Sequence, residues 1–258
     1  CIMVQKVFLL ACVGCFLCSV AAAQGPAKIS NRIVFKETDK FAGWPANNGM
    51  WGWGNEMVVG FVVGQFDDDE KDGHPIKPPQ VQRQARTMDG GETWTIEKPS
   101  FLDVQEKEAK AMMLNQAINF MHPDFALKFR SQAETFYYST DRCKTWKGPY
   151  TFPDFGRRGV LARTDYIING ERDLFVFLTS PKDDGREGRP FCARTQDGGL
   201  SWELVGWIGK QPPVERYGYA IMPSTVRLKS GAFLSMIRHG GDFNGQRRWW
   251  LDAYLSPD

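Results

Sequence analysis

Three eight-residue stretches of this 258-residue chain are near copies of one another: Thr87-Met-Asp-Gly-Gly-Glu-Thr-Trp94, Ser139-Thr-Asp-Arg-Cys-Lys-Thr-Trp146 and Thr195-Gln-Asp-Gly-Gly-Leu-Ser-Trp202. The last residues, Ser256-Pro257-Asp258, open a fourth. The shared aspartates fall at 89, 141, 197 and 258, at intervals of 52, 56 and 61 residues. A period of this size means an array of repeated supersecondary units, and it constrains the fold more than any single residue does. Four short β-rich runs bounded by turn signals fit into each period, as in a propeller blade. Repeat one offers Met50 to Trp53 and Glu56 to Phe66; repeat two offers Ile118 to Met121, Phe125 to Arg130 and Glu134 to Tyr138. Repeat three offers Asp165 to Ile168, Asp173 to Thr179 and Arg189 to Arg194; repeat four offers Ser224 to Leu228, Ala232 to Arg238 and Trp249 to Leu255. Residues 104–115 read as a loop or one short helix.

The repeated turn has a structural task. Its aspartate is placed to accept hydrogen bonds from turn amides, its glycine supplies a positive φ, and its tryptophan packs between neighbouring units. Cys143 stands where the other two copies have glycine, so that turn is expected to be strained.

The first 23 residues have the make-up of a secretory leader: Lys6, an apolar run from Val7 to Val20, and Ala21-Ala-Ala23. A lipoprotein signal ending at Cys12 is the alternative. A fourteen-residue apolar run is too short to span a bilayer, which takes about 20 residues. The expected location is secreted or periplasmic, with residues 24–258 as the folded domain. Four of the six cysteines (1, 12, 15 and 18) lie in the leader, which leaves Cys143 and Cys192, too few for a disulfide framework. Outside the leader no Cys or His pair has metal-ligand spacing, so no metal and no cofactor is expected. Without the leader, 31 basic residues face 30 acidic ones, which gives no general pull toward nucleic acid or anionic membrane. A preference for an acidic ligand would therefore have to come from local clustering.

Such clustering is visible along the loops opposite the repeated turns. They carry Asp67-Asp-Asp-Glu-Lys-Asp-Gly-His74, Asp183-Asp-Gly-Arg-Glu-Gly-Arg189 and Arg238-His-Gly-Gly-Asp242. The links between repeats add Arg157, Arg158, Arg163, Asp165, Glu215, Arg216, Tyr217 and Tyr219. Arginines and carboxylates gathered on one rim of a rigid scaffold are what a binding edge looks like. Arg238 closes its strand, and Arg130 ends the matching strand of repeat two.

The turn pattern Ser/Thr-x-Asp-x-Gly-x-Thr/Ser-Trp resembles the Asp-box of the sialidase (BNR-repeat) superfamily. The resemblance implies an all-β, six-bladed propeller, present here to about four blades, at about 55 residues each. It also implies hydrolysis of terminal acidic sugars of glycans, with arginines clamping the substrate carboxylate and a tyrosine nucleophile, an exception among glycosidases. The hairpin Ser224-Thr-Val-Arg-Leu-Lys-Ser-Gly231 leading to Arg238 is similar to the family's fourth blade. By this resemblance Asp72 is the candidate acid, with Asp67, Asp68 and Asp69 as rivals, and Glu215 the candidate partner carboxylate. Arg163, Asp165, Arg189, Arg216 and Arg238 are the candidate substrate contacts. Two departures stand out: Gly43-Trp44-Pro45 replaces the family's Arg-Ile-Pro, and Met222-Pro223 occupies the place of its glutamate. Two other functions fit the same residues: a propeller enzyme acting on another sugar, and a glycan-binding scaffold without catalysis.

Overall fold

The computed structural model describes residues 30–70, 74–98, 110–130, 134–157, 159–161, 163–214 and 218–256. Every sheet belongs to the compact unit that begins at Ile33. The fold is all-β, four antiparallel sheets with one short helix.

Sheet one contains β1 (Lys40–Gly43), β2 (Met50–Trp53), β3 (Glu56–Phe66), β4 (Ile76–Thr87) and β5 (Thr95–Glu97), with α1 (Pro45–Asn48) between β1 and β2. Sheet two contains β6 (Ala126–Arg130), β7 (Thr135–Ser139) and β8 (Lys147–Thr151). Sheet three contains β9 (Tyr166–Ile168), β10 (Leu174–Pro181), β11 (Glu187–Thr195) and β12 (Glu203–Trp207). Sheet four contains β13 (Tyr219–Arg227), β14 (Phe233–Phe243) and β15 (Gln246–Leu255). In sheets two to four successive strands pair as meanders, and in sheet one β1 and β2 both pair with β3, so each sequence period becomes one sheet.

The repeated turns join β4 to β5, β7 to β8 and β11 to β12, and all three are built alike. Asp89 Oδ1 accepts from Thr87 Oγ1 at 2.7 Å and from the Thr93 amide at 2.9 Å, while its Oδ2 accepts from Thr93 Oγ1 at 2.6 Å. The Thr87 hydroxyl in turn accepts from the Gly91 amide at 2.9 Å. Ser139, Asp141, Cys143 and Thr145 reproduce this arrangement, as do Thr195, Asp197, Gly199 and Ser201. The hydrogen-bond pattern dictates the backbone even where glycine is missing: Arg142 and Cys143 adopt φ of 56° and 64°, a region that disfavours side chains. Cys143 is fully buried with Trp51, Val58 and Ala126, so its side chain fills the joint between sheets one and two.

Trp94 packs on Phe61, Val63 and Ala85 of its own sheet, while the two later repeat tryptophans reach back toward the preceding sheet. Trp146 meets Trp51 of sheet one edge-on at 5.1 Å, and Trp202 meets Phe152 at 4.9 Å and Phe136 at 6.1 Å beside sheet two. The largest core, centred on Phe120, Phe129, Phe136, Phe152, Leu174, Leu178 and Phe191, glues sheet two to sheet three. Phe233 meets Phe175 and Phe177 to join sheets three and four.

Sheet two departs from the sequence expectation. Residues 118–121 form no strand; Ile118 and Phe120 donate their amides to Gly198 and Glu171 of repeat three. The apolar side chains Ile118 and Phe120 are core residues, which is why the stretch read as a strand. The edge of β6 left open is satisfied by side chains instead. Trp51 Nε1 donates to the Leu127 carbonyl, the Tyr166 hydroxyl accepts from the Leu127 amide, and Thr164 Oγ1 accepts from the Phe129 amide. Backbone groups removed from water need such partners. Of the stretch read as a loop or helix, residues 104–109 lie outside the described residues; Met112 bridges to Tyr150 at the edge of sheet two.

Candidate functional site

A cavity of about 490 Å³ is walled by sheets one, two and four and by the link that leads into sheet three. Sheet one contributes Trp44, Asn47 and Asn48 around α1, Val62 and Gln82 of its strands, and His74. Sheet two contributes Lys128 and Arg130; the link into sheet three contributes Leu161 and Arg163; sheet four contributes Ile221, Met222 and Arg238.

The sheet-one wall starts with a strained turn. Trp44 sits at φ 57°, left-handed, just before the single-turn helix, and Pro45 then supplies a helix-compatible φ. The Asn48 side-chain amide donates to the Trp44 carbonyl at 2.8 Å and closes the turn. Gly60 of β3 allows this packing, since a Cβ there would lie 2.6 Å from the Asn48 carbonyl oxygen. The Trp44 ring is held edge-on to His74 at 4.9 Å, forming an aromatic corner at the cavity.

The opposite walls are cationic. Lys128, Arg130 and Arg163 are only 4, 7 and 8 % exposed. Lys128 Nζ donates to Asn48 Oδ1 at 3.2 Å, and Arg130 Nη1 donates to the Tyr137 hydroxyl at 3.3 Å. Burial pulls the pKa of Lys128 down to about 7 and lowers that of Arg130 as well, because desolvation disfavours the charged form. Arginine nonetheless stays cationic at any ordinary pH. Arg238 is exposed, its guanidinium 5.7 Å from the centre of the Tyr219 ring, with Met222 Sδ accepting from Nη1 at 3.9 Å. Gly240 makes room for that ring: a Cβ there would collide with Tyr219. Met222 takes φ 57° inside the register shift between Ile221 and Ser224, and such bulges often re-aim side chains beside functional sites.

No described carboxylate lines this cavity. A half-open surface with four basic side chains and an aromatic corner suits a ligand that has an acidic group and an apolar ring face. Among the described residues no group of three His, Cys, Asp or Glu is arranged to hold a metal ion, and no helix is long and apolar enough to cross a membrane.

The cavity brings together Arg163 and Arg238 of the residues expected from sequence. Two others lie elsewhere. Arg189 stacks 3.8 Å from the Trp207 ring centre and bonds Gln211, and Gln211 and Arg157 both reach Asp183. The indole face captures this guanidinium before it can reach the cavity. Asp165 faces Thr225 of β13, between sheets three and four, because the link turns inward where β9 begins; burial raises its pKa to about 7. Asp72, Glu215 and Arg216 lie outside the described residues, as do Arg158 and Tyr217. Asp67 and Asp69 pair with Lys77. Sequence reasoning passed over Lys128, Trp44 and Asn48. Arg130 had left a signal, since it ends β6 as expected, whereas Arg238, expected to close its strand and open a loop, lies inside β14, which runs on to Phe243; nothing local in the sequence marks Lys128 as buried.

A second, larger space of about 1010 Å³ opens between sheets three and four, among Phe175, Phe177, Trp207, Phe233 and Tyr254. Its two arginines are engaged, Arg194 with Asp173 and Arg227 with Asn169, which leaves an apolar cleft between layers.

No family model and no curated protein matches the sequence. Among solved structures the chain is similar to a protein of unknown function from Dyadobacter fermentans DSM 18053, with 13% identity and a TM-score of 0.51, over 84% of this chain and 71% of that one. It also matches a Penicillium chrysogenum alpha-L-arabinanase complexed with arabinobiose, with 16% identity and a TM-score of 0.49, over 79% of this chain and 60% of that one. A third match, xylan beta-1,4-xylosidase from Bacillus halodurans C-125, has 10% identity and a TM-score of 0.25, over 80% and 52%. The first likeness concerns the fold alone, and the two at lower TM-scores carry no argument about this chain.

Proposed function

We propose that the chain is a secreted, sialidase-like glycan-acting protein whose four-walled cavity receives the acidic group of a terminal sugar. The observation that carries this reading is the cavity lining: Lys128, Arg130, Arg163 and Arg238 converge there with no described carboxylate among them. Planar guanidinium groups pair a carboxylate through two parallel N–H···O bonds, and the Trp44–His74 corner offers a face for the sugar ring. The four sheets are blades in this reading, and further blades complete a six-bladed propeller. Its support is the outer face of sheet four, where Val226, Met236, Trp249, Leu251 and Leu255 expose apolar side chains, a face that a neighbouring sheet would cover.

Hydrolysis needs an acid for the leaving oxygen and an activated nucleophile. Asp72 belongs to the segment joining β3 to β4, whose far end, His74, lines the cavity. Glu215 belongs to the link that leads into β13, whose Ile221 and Met222 line it too. In this reading they are the catalytic carboxylates. A second reading, binding without cleavage, is favoured by the absence of any described carboxylate from the cavity wall. Hydrolysis of a fluorogenic sialoside, measured beside calorimetric binding of N-acetylneuraminate, separates the two. Turnover lost in Asp72→Asn or Glu215→Gln supports the hydrolase. Binding without turnover supports the glycan-binding reading, and neither binding nor turnover sinks both.

A further inference from the structure

Lys128 is in an electrostatically unusual place. It sits on β6 at the cavity wall, 4 % exposed, and its one hydrogen-bond partner among the described residues is Asn48 Oδ1 at 3.2 Å. An ammonium has three N–H groups to satisfy, so two are left without a protein acceptor among those residues. The groups around it are neutral or positive. Asn48 approaches from α1, Tyr137 lies opposite on β7, and Cys143 follows in the next turn. Arg130 is two residues along the strand, and Arg163, His74 and Arg238 line the same cavity from the link, sheet one and sheet four. None of these can serve as a counter-ion, and a buried cation without one is costly.

We propose that binding of an acidic ligand in this cavity is coupled to uptake of one proton by the Lys128 amine, whose ammonium then pairs with the bound anion. This rests on the acidic-ligand reading above and adds the group that makes it pH-dependent. The proton comes from solvent, and no covalent bond forms or breaks. The three arginines hold their protons throughout, so they attract the anion without titrating. Lys128 does titrate, because burial brings its pKa to about 7 in the free protein, and an anion alongside would raise it again.

The linkage follows in sign and size. A ligand-bound pKa above the free value means affinity is full below about pH 7 and declines as pH rises through it. Proton uptake per ligand bound should be about 0.1 at pH 6, about 0.5 at pH 7 and about 0.9 at pH 8.

Calorimetric titration of the full chain with N-acetylneuraminate tests this, at each pH in two buffers of different ionisation enthalpy. The expected result is buffer-dependent heat that grows from pH 6 to pH 8. In Lys128→Gln the uptake should vanish and affinity at pH 6 should fall about 10- to 100-fold, the size of a lost charge-assisted contact. The wild-type measurement stands by itself should that variant fold poorly. Binding without buffer dependence overturns the coupling and leaves the acidic-ligand reading intact. Uptake that survives in Lys128→Gln but disappears in His74→Gln also overturns it, assigning the proton to the imidazole. Absence of binding at every pH overturns both.

Discussion

Removing the carboxylate of Asp197 should destabilise the protein while leaving the cavity untouched. The group accepts from Thr195 Oγ1 at 2.9 Å, from the Ser201 amide at 2.9 Å and from Ser201 Oγ at 2.5 Å. Hydrogen bonds to charged groups contribute about 1.5–3 kcal/mol each, neutral ones about 1. Ser201 is exposed and can turn to water in the variant, whereas Thr195 is buried. The low end of the range therefore applies, about 2 kcal/mol in total for Asp197→Ala. For a domain of this size that corresponds to a Tm lower by about 4–8 °C. The pH dependence gives an independent check. Burial raises the Asp197 pKa, but the Ser201 and Thr195 bonds outweigh it, and the net shift is downward. A depressed folded-state pKa contributes stability that is fully present above the unfolded value near 4 and lost as pH falls through the folded one. Urea unfolding of wild type and Asp197→Ala should thus differ at pH 7 and converge in acid. A difference at pH 7 below about 0.5 kcal/mol, within the usual scatter of surface substitutions, would refute the structural role of the turn. Loss of N-acetylneuraminate binding in a variant of unchanged stability would refute it differently, by showing that the aspartate touches ligand.

Arg238→Met should weaken N-acetylneuraminate binding about 10-fold or more with little change in Tm, because Arg238 is exposed and pairs with no described carboxylate; isothermal calorimetry and a melt read both. Arg189→Met should leave affinity unchanged, since that side chain is spent on Trp207 and Gln211. Arg86→Met should destabilise by about 3 kcal/mol, because Arg86 lies between Glu56 and Glu97 at 2.6 Å from each. Arg142 Nη1 at 2.7 Å keeps Glu56 paired in that variant, so the double variant Arg86→Met with Glu97→Gln, which removes the carboxylate left without its arginine, should recover part of that loss in urea titrations, and a failure to recover would refute the charge explanation.

The sequence carried the repeat, and with it the four sheets, the position of each Asp-centred turn and the strain at Cys143. Those are local matters: a turn is specified by a few adjacent donors, acceptors and glycines, and a strand by the alternation of its own side chains. It also carried the tendency of arginines to collect in the links and at strand ends, which pointed to Arg163 and Arg238. What it could not convey was which of these groups meet. Arg189 and Arg163 look equivalent in one dimension, yet an indole 18 residues downstream holds the first, and the inter-sheet cavity takes the second. Ile118 and Phe120 read as strand because they are apolar, and only the packing of sheet two on sheet three shows that their place is in the core without a ladder. Lys128 reads as an ordinary polar residue in a strand; it becomes a buried cation because α1, sheet four and the link from sheet two close around it. Burial and counter-charge depend on distances between elements far apart in the chain, so the ionisation of the cavity is a property of the tertiary structure alone.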